Sequence, residues 1–194
     1  MRFAYADPPY LGWAVRYYGD HPDAAVFDTV EGHAALIARL VDEYPDGWAL
    51  SMTSNNLRDL LPYCPEDCRV AAWVKPFHAY KRNVRPAYSW EPVVFHGGRQ
   101  TATLPEKGGV ATTPKDHLAA NITLQRGVMG AKPPAFTRWV LDLLGWQRGD
   151  TLVDLFPGSG AVTAEVDRIM ATPMLWDDPA PILPAETLWG PEGL

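Results

Sequence analysis

Apolar positions recur along this chain in two rhythms, one of period two and one of period near 3.6, and their alternation sets the expected order of elements. Arg2–Ala6 is short, apolar and aromatic, and Asp7-Pro8-Pro9 stops it, which reads as a strand running into a rigid turn. Residues 31–44 place Leu36, Ile37, Leu40, Val41 and Tyr44 on one stripe, so an amphipathic helix is expected there, with Asp28 and Glu31 as its capping signal. Pro45-Asp46-Gly47 ends it, and 48–52 reads as a second strand. Ser54-Asn55 can cap a short helix through Leu61; Arg69–Val74 is a third strand and 92–95 a fourth, closed by Gly97-Gly98.

Between 99 and 130 the sequence is polar, rich in Gly, Thr and Lys, and without a clean period; a loop of this length is expected to be functional or disordered. Pro134 then stands where a first helical residue would, with Phe136, Val140, Leu143 and Leu144 on one face and Gly145 as the stop. Residues 151–156 form a near-continuous apolar strand of the kind buried in parallel sheets, and Pro157-Gly158-Ser159-Gly160 turns it into a helix over 161–170. The last 22 residues hold five prolines and read as a poorly ordered arm. Strands alternating with helices predict an α/β domain with a mostly parallel sheet over 1–176, followed by a Pro-rich arm over 177–194. The 194-residue length suits one such domain, and there is no internal repeat.

Composition narrows the class. With 47 % apolar and 21 % charged residues the chain can bury a core. No apolar run approaches the roughly 20 residues of a membrane helix, and the N-terminus lacks the apolar stretch of a secretory signal. Two cysteines, Cys64 and Cys68, read as free thiols; they cannot staple a secreted scaffold or complete a zinc set, so a reducing cytoplasm and no metal are expected. His21, His33, His96 and His117 lack ligand spacing and read as surface or packing residues.

Charge adds one feature. The net charge is −6, yet residues 69–132 hold ten Lys/Arg against three acids, which makes this stretch +7 and the remainder −13. A basic middle in an acidic chain suits a footprint for phosphates, and the Gly- and Pro-rich loops that interrupt it argue against a core there. His78, Tyr80, Lys81, Arg82 and Arg85 mix aromatic and basic character as a single-strand groove would, though a solvated surface would look the same. Trp13, Tyr17 and Tyr18 suit either a base channel or packing.

Two motifs carry chemistry. Asp7-Pro8-Pro9-Tyr10 ends the first strand, and in open α/β sheets ligands bind at that edge. The prolines remove two amide donors, which leaves the Pro8 carbonyl and the Asp7 carboxylate as acceptors beside the flat face of Tyr10. Such a set suits a planar ring with an exocyclic amine; a plain turn with Tyr10 in the core is the bland alternative. Asp154-Leu155-Phe156-Pro157-Gly158-Ser159-Gly160 is the second: strand, Gly-x-Gly, helix, which lets a ligand approach the backbone closely. It lacks the Lys-Ser/Thr of a phosphate loop and the third glycine of a dinucleotide fingerprint.

Taken together, and in this order, the motifs make the sequence resemble the permuted (β-class) S-adenosylmethionine-dependent DNA amino-methyltransferases. Asp7-Pro8-Pro9-Tyr10 is similar to their catalytic motif and Asp154 through Gly160 to their cofactor-binding motif; Lys132-Pro133-Pro134 resembles the Lys-Pro element before the preceding helix, and Trp90-Glu91-Pro92-Val93-Val94-Phe95 their aromatic-Glu-Pro strand. The resemblance spans residues 1 to about 170. It implies a Rossmann-like, seven-stranded sheet with one antiparallel strand, and methyl transfer to adenine N6 or cytosine N4 of DNA, RNA being the alternative substrate. Asp at the first motif position favours adenine. The resemblance gives Asp7, Pro8, Pro9 and Tyr10 the catalytic role, with Tyr10 stacked on the extruded base. It sets Asp7, Lys132, Asp154, Phe156, Pro157, Gly158, Ser159 and Gly160 against the cofactor, with Asp177 as the candidate for the ribose-holding acid. Lys81, Arg82 and Arg85 are the expected nucleic-acid contacts.

The sequence departs from the family pattern twice. After residue 170 only 173–177 could form a further strand, and residues 99–130 alone stand in for a target-recognition domain. A homodimer that supplies the missing surface, or a single-stranded substrate, is expected. A methyltransferase-like subunit that binds nucleic acid without catalysis is the rival class.

Overall fold

A computed structural model describes residues 1–19, 21–77, 82, 84–100, 113–123 and 131–172. Within them, β1 (Arg2–Ala6) is followed by three helices, α1 (Ala14–Tyr18), α2 (Pro22–Phe27) and α3 (Val30–Glu43), and then by β2 (Gly47–Ser51). A short helical stretch follows, with α4 (Leu57–Leu60) between two 3₁₀ turns. Next come β3 (Arg69–Val74), β4 (Trp90–Gly97), β5 (His117–Ala119), α5 (Pro134–Leu144), β6 (Thr151–Asp154) and α6 (Ala161–Ala171). Among the described residues the sheet has six strands in the order β5-β3-β4-β2-β1-β6, parallel except for β4, which runs against both neighbours. Residues 173–194, with the candidate further strand, Asp177 and the Pro-rich arm, lie outside the described residues.

Both faces of the sheet are covered, which is why its strands read as apolar runs. On β1, Phe3 and Tyr5 face α5 and pack with Phe136, Trp139, Val140 and Leu144, while Ala4 and Ala6 face α3 and pack with Leu36, Ile37 and Leu40. The period-two alternation of the strand thus feeds two cores.

Several local expectations are corrected. The cap of α3 is Thr29, whose side chain accepts from the Gly32 amide at 3.1 Å. Asp28 instead accepts from the Ala14 amide at 2.9 Å and fixes the start of α1, so the residue one position before the true cap carries a tertiary role. Gly32 is required for a separate reason: a Cβ there would stand 2.1 Å from the Val26 carbonyl oxygen, where α2 crosses α3.

β4 is longer than residues 92–95, and Pro92 lies inside it. Met52 donates to the Pro92 carbonyl at 3.3 Å, but Pro92 has no N–H to return, and the ladder with β2 ends there while pairing with β3 continues to Trp90. The stretch 99–130 is not loop throughout: β5 pairs in parallel with β3, and Leu118, Ala120 and Ile122 pack against the core beneath α5. Three residues on a sheet edge, two of them exposed, leave no periodic signal in the sequence. Nor is the basic middle free of core, because Ala71, Trp73, Val93, Val94 and Phe95 are all buried.

Candidate active site at the C-terminal edge of the sheet

Four segments deliver polar groups to one end of the sheet. β1 brings Tyr5 and, just past its end, Asp7 through Tyr10. β3 ends at Val74 and presents Lys75. Because β4 is antiparallel, its beginning rather than its end lies here, and that places Glu91 beside them. Lys132 comes from the segment that enters α5.

Their side chains form one network. The Lys132 ammonium, 6 % exposed, stands 3.0 Å from Asp7 Oδ2 and 3.5 Å from Glu91 Oε2, and donates to Tyr10 Oη at 3.4 Å. The Tyr10 hydroxyl lies 3.3 Å from both Asp7 Oδ1 and Glu91 Oε2 and can donate to either. Glu91 Oε1 is paired with Lys75, whose ammonium also sits 4.6 Å from the centre of the Trp73 ring. The rings of Trp73 and Phe136 flank the Lys132 ammonium at 5.5 and 5.4 Å, so its charge is met by aromatic faces as well as by carboxylates. Tyr5 and Ser51 share a 2.8 Å hydrogen bond below.

Burial sets the titration of this cluster. It pushes the Asp7 carboxyl up from its ordinary value, with Lys132 opposing and Glu91 adding to the rise. Burial alone would pull the Lys132 ammonium down; Asp7 and the neighbouring tyrosines and Glu91 outweigh it and hold the ammonium well above its ordinary value. Glu91 shows the mirror image, since burial raises it but Lys132 and Lys75 bring it below the usual carboxylate range. Tyr10 is pushed well up by burial and by Asp7, so its hydroxyl stays protonated at neutral pH.

The second motif lies next door because β6 pairs with β1, Tyr5 opposite Asp154. Asp154 accepts from the Phe156 amide and from the Thr163 hydroxyl, both at 3.3 Å, which ties the turn to α6. Gly158 and Gly160 have φ of +47° and +74°. A Cβ at Gly160 would meet nothing within 4 Å, and one at Gly158 only the Phe156 carbonyl oxygen at 3.8 Å. The glycines therefore leave a cradle that side chains would fill, with Pro157, Gly158 and Ser159 exposed along it. Phe156 is half-buried, edge-on to Phe27 at 5.1 Å.

Of the expected nucleic-acid contacts, Arg82 and Arg85 are exposed, and Lys81, with His78 and Tyr80, lies outside the described residues. Arg85 lines a cleft of about 390 Å³ with Ser54, Asn55, Tyr88 and Trp90, where the Asn55 amide donates to the Tyr88 hydroxyl at 2.7 Å. The basic footprint is smaller than its sequence count. Lys75 and Lys132 face carboxylates inside the site, and Arg99 is paired with Asp150 at 2.7 Å. Sequence reasoning missed Tyr5, Ser51 and Lys75 as members of the site and gave Glu91 no role, although the aromatic-Glu-Pro strand contained it.

No protein-family model and no curated protein matches the sequence. Solved structures do match. The M1.HpyAVI–SAM complex aligns at a TM-score of 0.54 and 15 % identity, covering 88 % of this chain and 78 % of that one. M1.HpyAVI alone aligns at 0.51 and 14 %, covering 88 % and 76 %. The PvuII DNA methyltransferase (cytosine-N4-specific) aligns at 0.59 and 15 %, covering 87 % and 71 %. At such identities the likeness is one of architecture: this chain has the Rossmann-like fold of the DNA methyltransferases.

Proposed function

We propose that this chain is a permuted amino-methyltransferase that transfers a methyl group from S-adenosylmethionine to the exocyclic N6 of adenine in DNA. The observation that carries the reading is the pairing of β1 with β6, Tyr5 opposite Asp154, after which the chain runs on to Asp7 from one strand and to the open Gly158–Gly160 turn from the other at the same edge of the sheet. The residues present fit the cofactor. The turn has room where a side chain would otherwise stand, and the paired Asp7 and Lys132 lie at the edge where the amino-acid end of the cofactor would sit. Asp154, Phe156, Pro157, Gly158, Ser159 and Gly160 would hold the rest, with Asp177 as the proposed ribose partner. When bound, the cofactor supplies an electrophilic methyl on a positively charged sulfur.

The chain's own part is orientation. An exocyclic amine on an aromatic base is a poor nucleophile because its lone pair is delocalised into the ring. Asp7 and the Pro8 carbonyl accept from its two N–H groups and favour a pyramidal nitrogen whose lone pair faces the methyl. Pro9 holds that turn, and the Tyr10 ring offers a stacking face, a contact worth about 1–3 kcal/mol. Arg82 and Arg85, with Lys81, would meet the phosphates.

Cytosine N4 is the second reading, favoured by the likeness to the PvuII enzyme, whose TM-score of 0.59 is above that of the M1.HpyAVI structures. Incubation with S-adenosylmethionine carrying a labelled methyl and, in parallel, mixed DNA or mixed RNA, followed by mass spectrometry of the digested nucleosides, decides. N6-methyl-2′-deoxyadenosine supports the proposal and N4-methyl-2′-deoxycytidine the second reading. DNA binding without methylated nucleosides would mark a non-catalytic subunit, and a product from RNA alone would move the substrate class.

A further inference from the structure

Glu91 is a second carboxylate within reach of the ammonium that Asp7 holds, and methyl transfer as set out above gives it no task. Its side chain is 20 % exposed and points from β4 toward the same cluster as Asp7. Along the edge the charges alternate: Asp7, Lys132, Glu91, Lys75. Lys132 stands between two carboxylates at 3.0 and 3.5 Å, and the Tyr10 hydroxyl lies 3.3 Å from each. An amine that binds Asp7 must compete for oxygens that Lys132, at Oδ2, and the Tyr10 hydroxyl, at Oδ1, already face. Lys132 is too enclosed to give its charge to water, and an ammonium left there without a partner would be an uncompensated buried charge.

We propose that Glu91 is a positioning residue that keeps Lys132 and the Tyr10 hydroxyl paired when Asp7 turns to an incoming amine, so that engagement of the target exchanges partners instead of stripping a charge. The inference rests on the methyltransferase reading. The shift it needs is small, because Lys132 already lies near hydrogen-bonding range of Glu91 Oε2. Lys75 completes the device from the outer side: with Lys132 it keeps Glu91 ionised despite burial. The titratable groups that face Asp7 are Lys132 ahead of α5, Glu91 on β4, Tyr5 on β1 and Tyr10 beyond it, with Tyr18 of α1 and Asp154 of β6 feeling its charge from farther off.

The test is Glu91→Gln, which keeps shape and removes charge. Carbon-13 NMR of the Asp7 carboxyl should show it ionising at lower pH than in the wild type, because the neighbouring anion is gone and Lys132 closes on Asp7. In methylation of a DNA oligonucleotide, KM should rise about tenfold, the scale of one charge-assisted hydrogen bond, with kcat changed less. The acid limb of kcat/KM should move down with the Asp7 titration. An unmoved Asp7 titration, or a wild-type KM, overturns the inference. If Glu91→Gln does not fold, Glu91→Asp draws the carboxylate back by one methylene and should shift both readouts in the same directions by less; no shift there overturns it equally. A wild-type chain that methylates no DNA, with the Asp7 shift present, overturns the methyltransferase reading and upholds the coupling. A methylating wild type without the shift overturns the coupling alone.

Discussion

Asp7 has two demands to meet. In the proposed reaction it must be ionised to accept from an amine, while its partly buried position works against its charge. The sign of the resulting pH dependence follows: a raised carboxyl is protonated at a higher pH than an ordinary aspartate, so the acid limb of kcat/KM should lie above the usual carboxylate range. A limb at or below that range would point to another group. Asp7→Ala should lower kcat by about 10²–10³-fold, the usual effect of removing one preorganised hydrogen-bonding group, with a smaller change in cofactor affinity by calorimetry. A variant that keeps most of the activity would remove Asp7 from the chemistry. Gly158→Val tests the neighbouring turn. At φ +47°, with open space where a Cβ would stand, valine both strains the backbone and fills the cradle. Binding of S-adenosylmethionine should be lost while the circular dichroism spectrum stays native; wild-type affinity would displace the site.

Residue identities at Asp7 and Gly158 were legible in the sequence because turn chemistry is local: two prolines or two close glycines impose their backbone wherever they stand. Glu91 was not legible as a partner of Lys132, since their contact depends on the reversed direction of β4, and nothing within a few residues of either one specifies that direction.

Among the elements, α5 and α6 are joined by a three-membered ion cluster. Glu165 of α6, almost fully buried, takes Arg138 of α5 at 2.6 Å and Arg168 of its own helix at 2.7 Å. Arg168, with Arg138, holds the Glu165 carboxyl down at about 2. A depressed carboxyl stabilises the fold above its unfolded value and loses that contribution as pH falls toward its folded one. Glu165→Gln should therefore cost about 1–2 kcal/mol at pH 7, given half-exposed arginines, and the difference from wild type in urea unfolding should shrink as pH approaches 2. A constant difference across that window would show the cost to be packing. The long helices α3 and α5 were readable from their stripes and α6 from the turn before it, whereas α1 and α2 were not, because five- and six-residue helices carry too few turns for a period. β5 escaped for the same reason.

At the scale of the whole molecule, none of the described helices is long and apolar enough to cross a membrane. The basic excess that suggested a nucleic-acid partner is partly consumed inside, at Lys75, Arg99 and Lys132, so the charge left for phosphates is concentrated in fewer side chains. Neutralising Lys81, Arg82 and Arg85 together should weaken binding about equally for all DNA sequences and flatten the salt dependence by roughly 0.9 in log–log slope for each phosphate that is no longer neutralised. Unchanged affinity in fluorescence anisotropy would place the footprint elsewhere. Because extruding a base from a duplex costs a few kcal/mol, the proposed function predicts a homodimer or a preference for single strands. A monomer by light scattering that methylates one strict duplex site would refute both.

The chain between Lys75 and Trp90 hangs from a clamp. The Lys75 amide donates to the Ser89 carbonyl at 2.7 Å, and the ammonium of the same lysine is paired with Glu91 just beyond. Phe77 and Tyr88 are tied outward, to Asn121 at 3.1 Å and Asn55 at 2.7 Å, so the number of residues between those two is what can change at little energetic expense, since doubling a loop adds only about 0.6 kcal/mol of closure entropy. Modularity follows: under the proposed function, the chain's reach for its nucleic acid can be redrawn, in evolution or in the laboratory, by grafting this one segment, while the strands beneath continue to present the same edge.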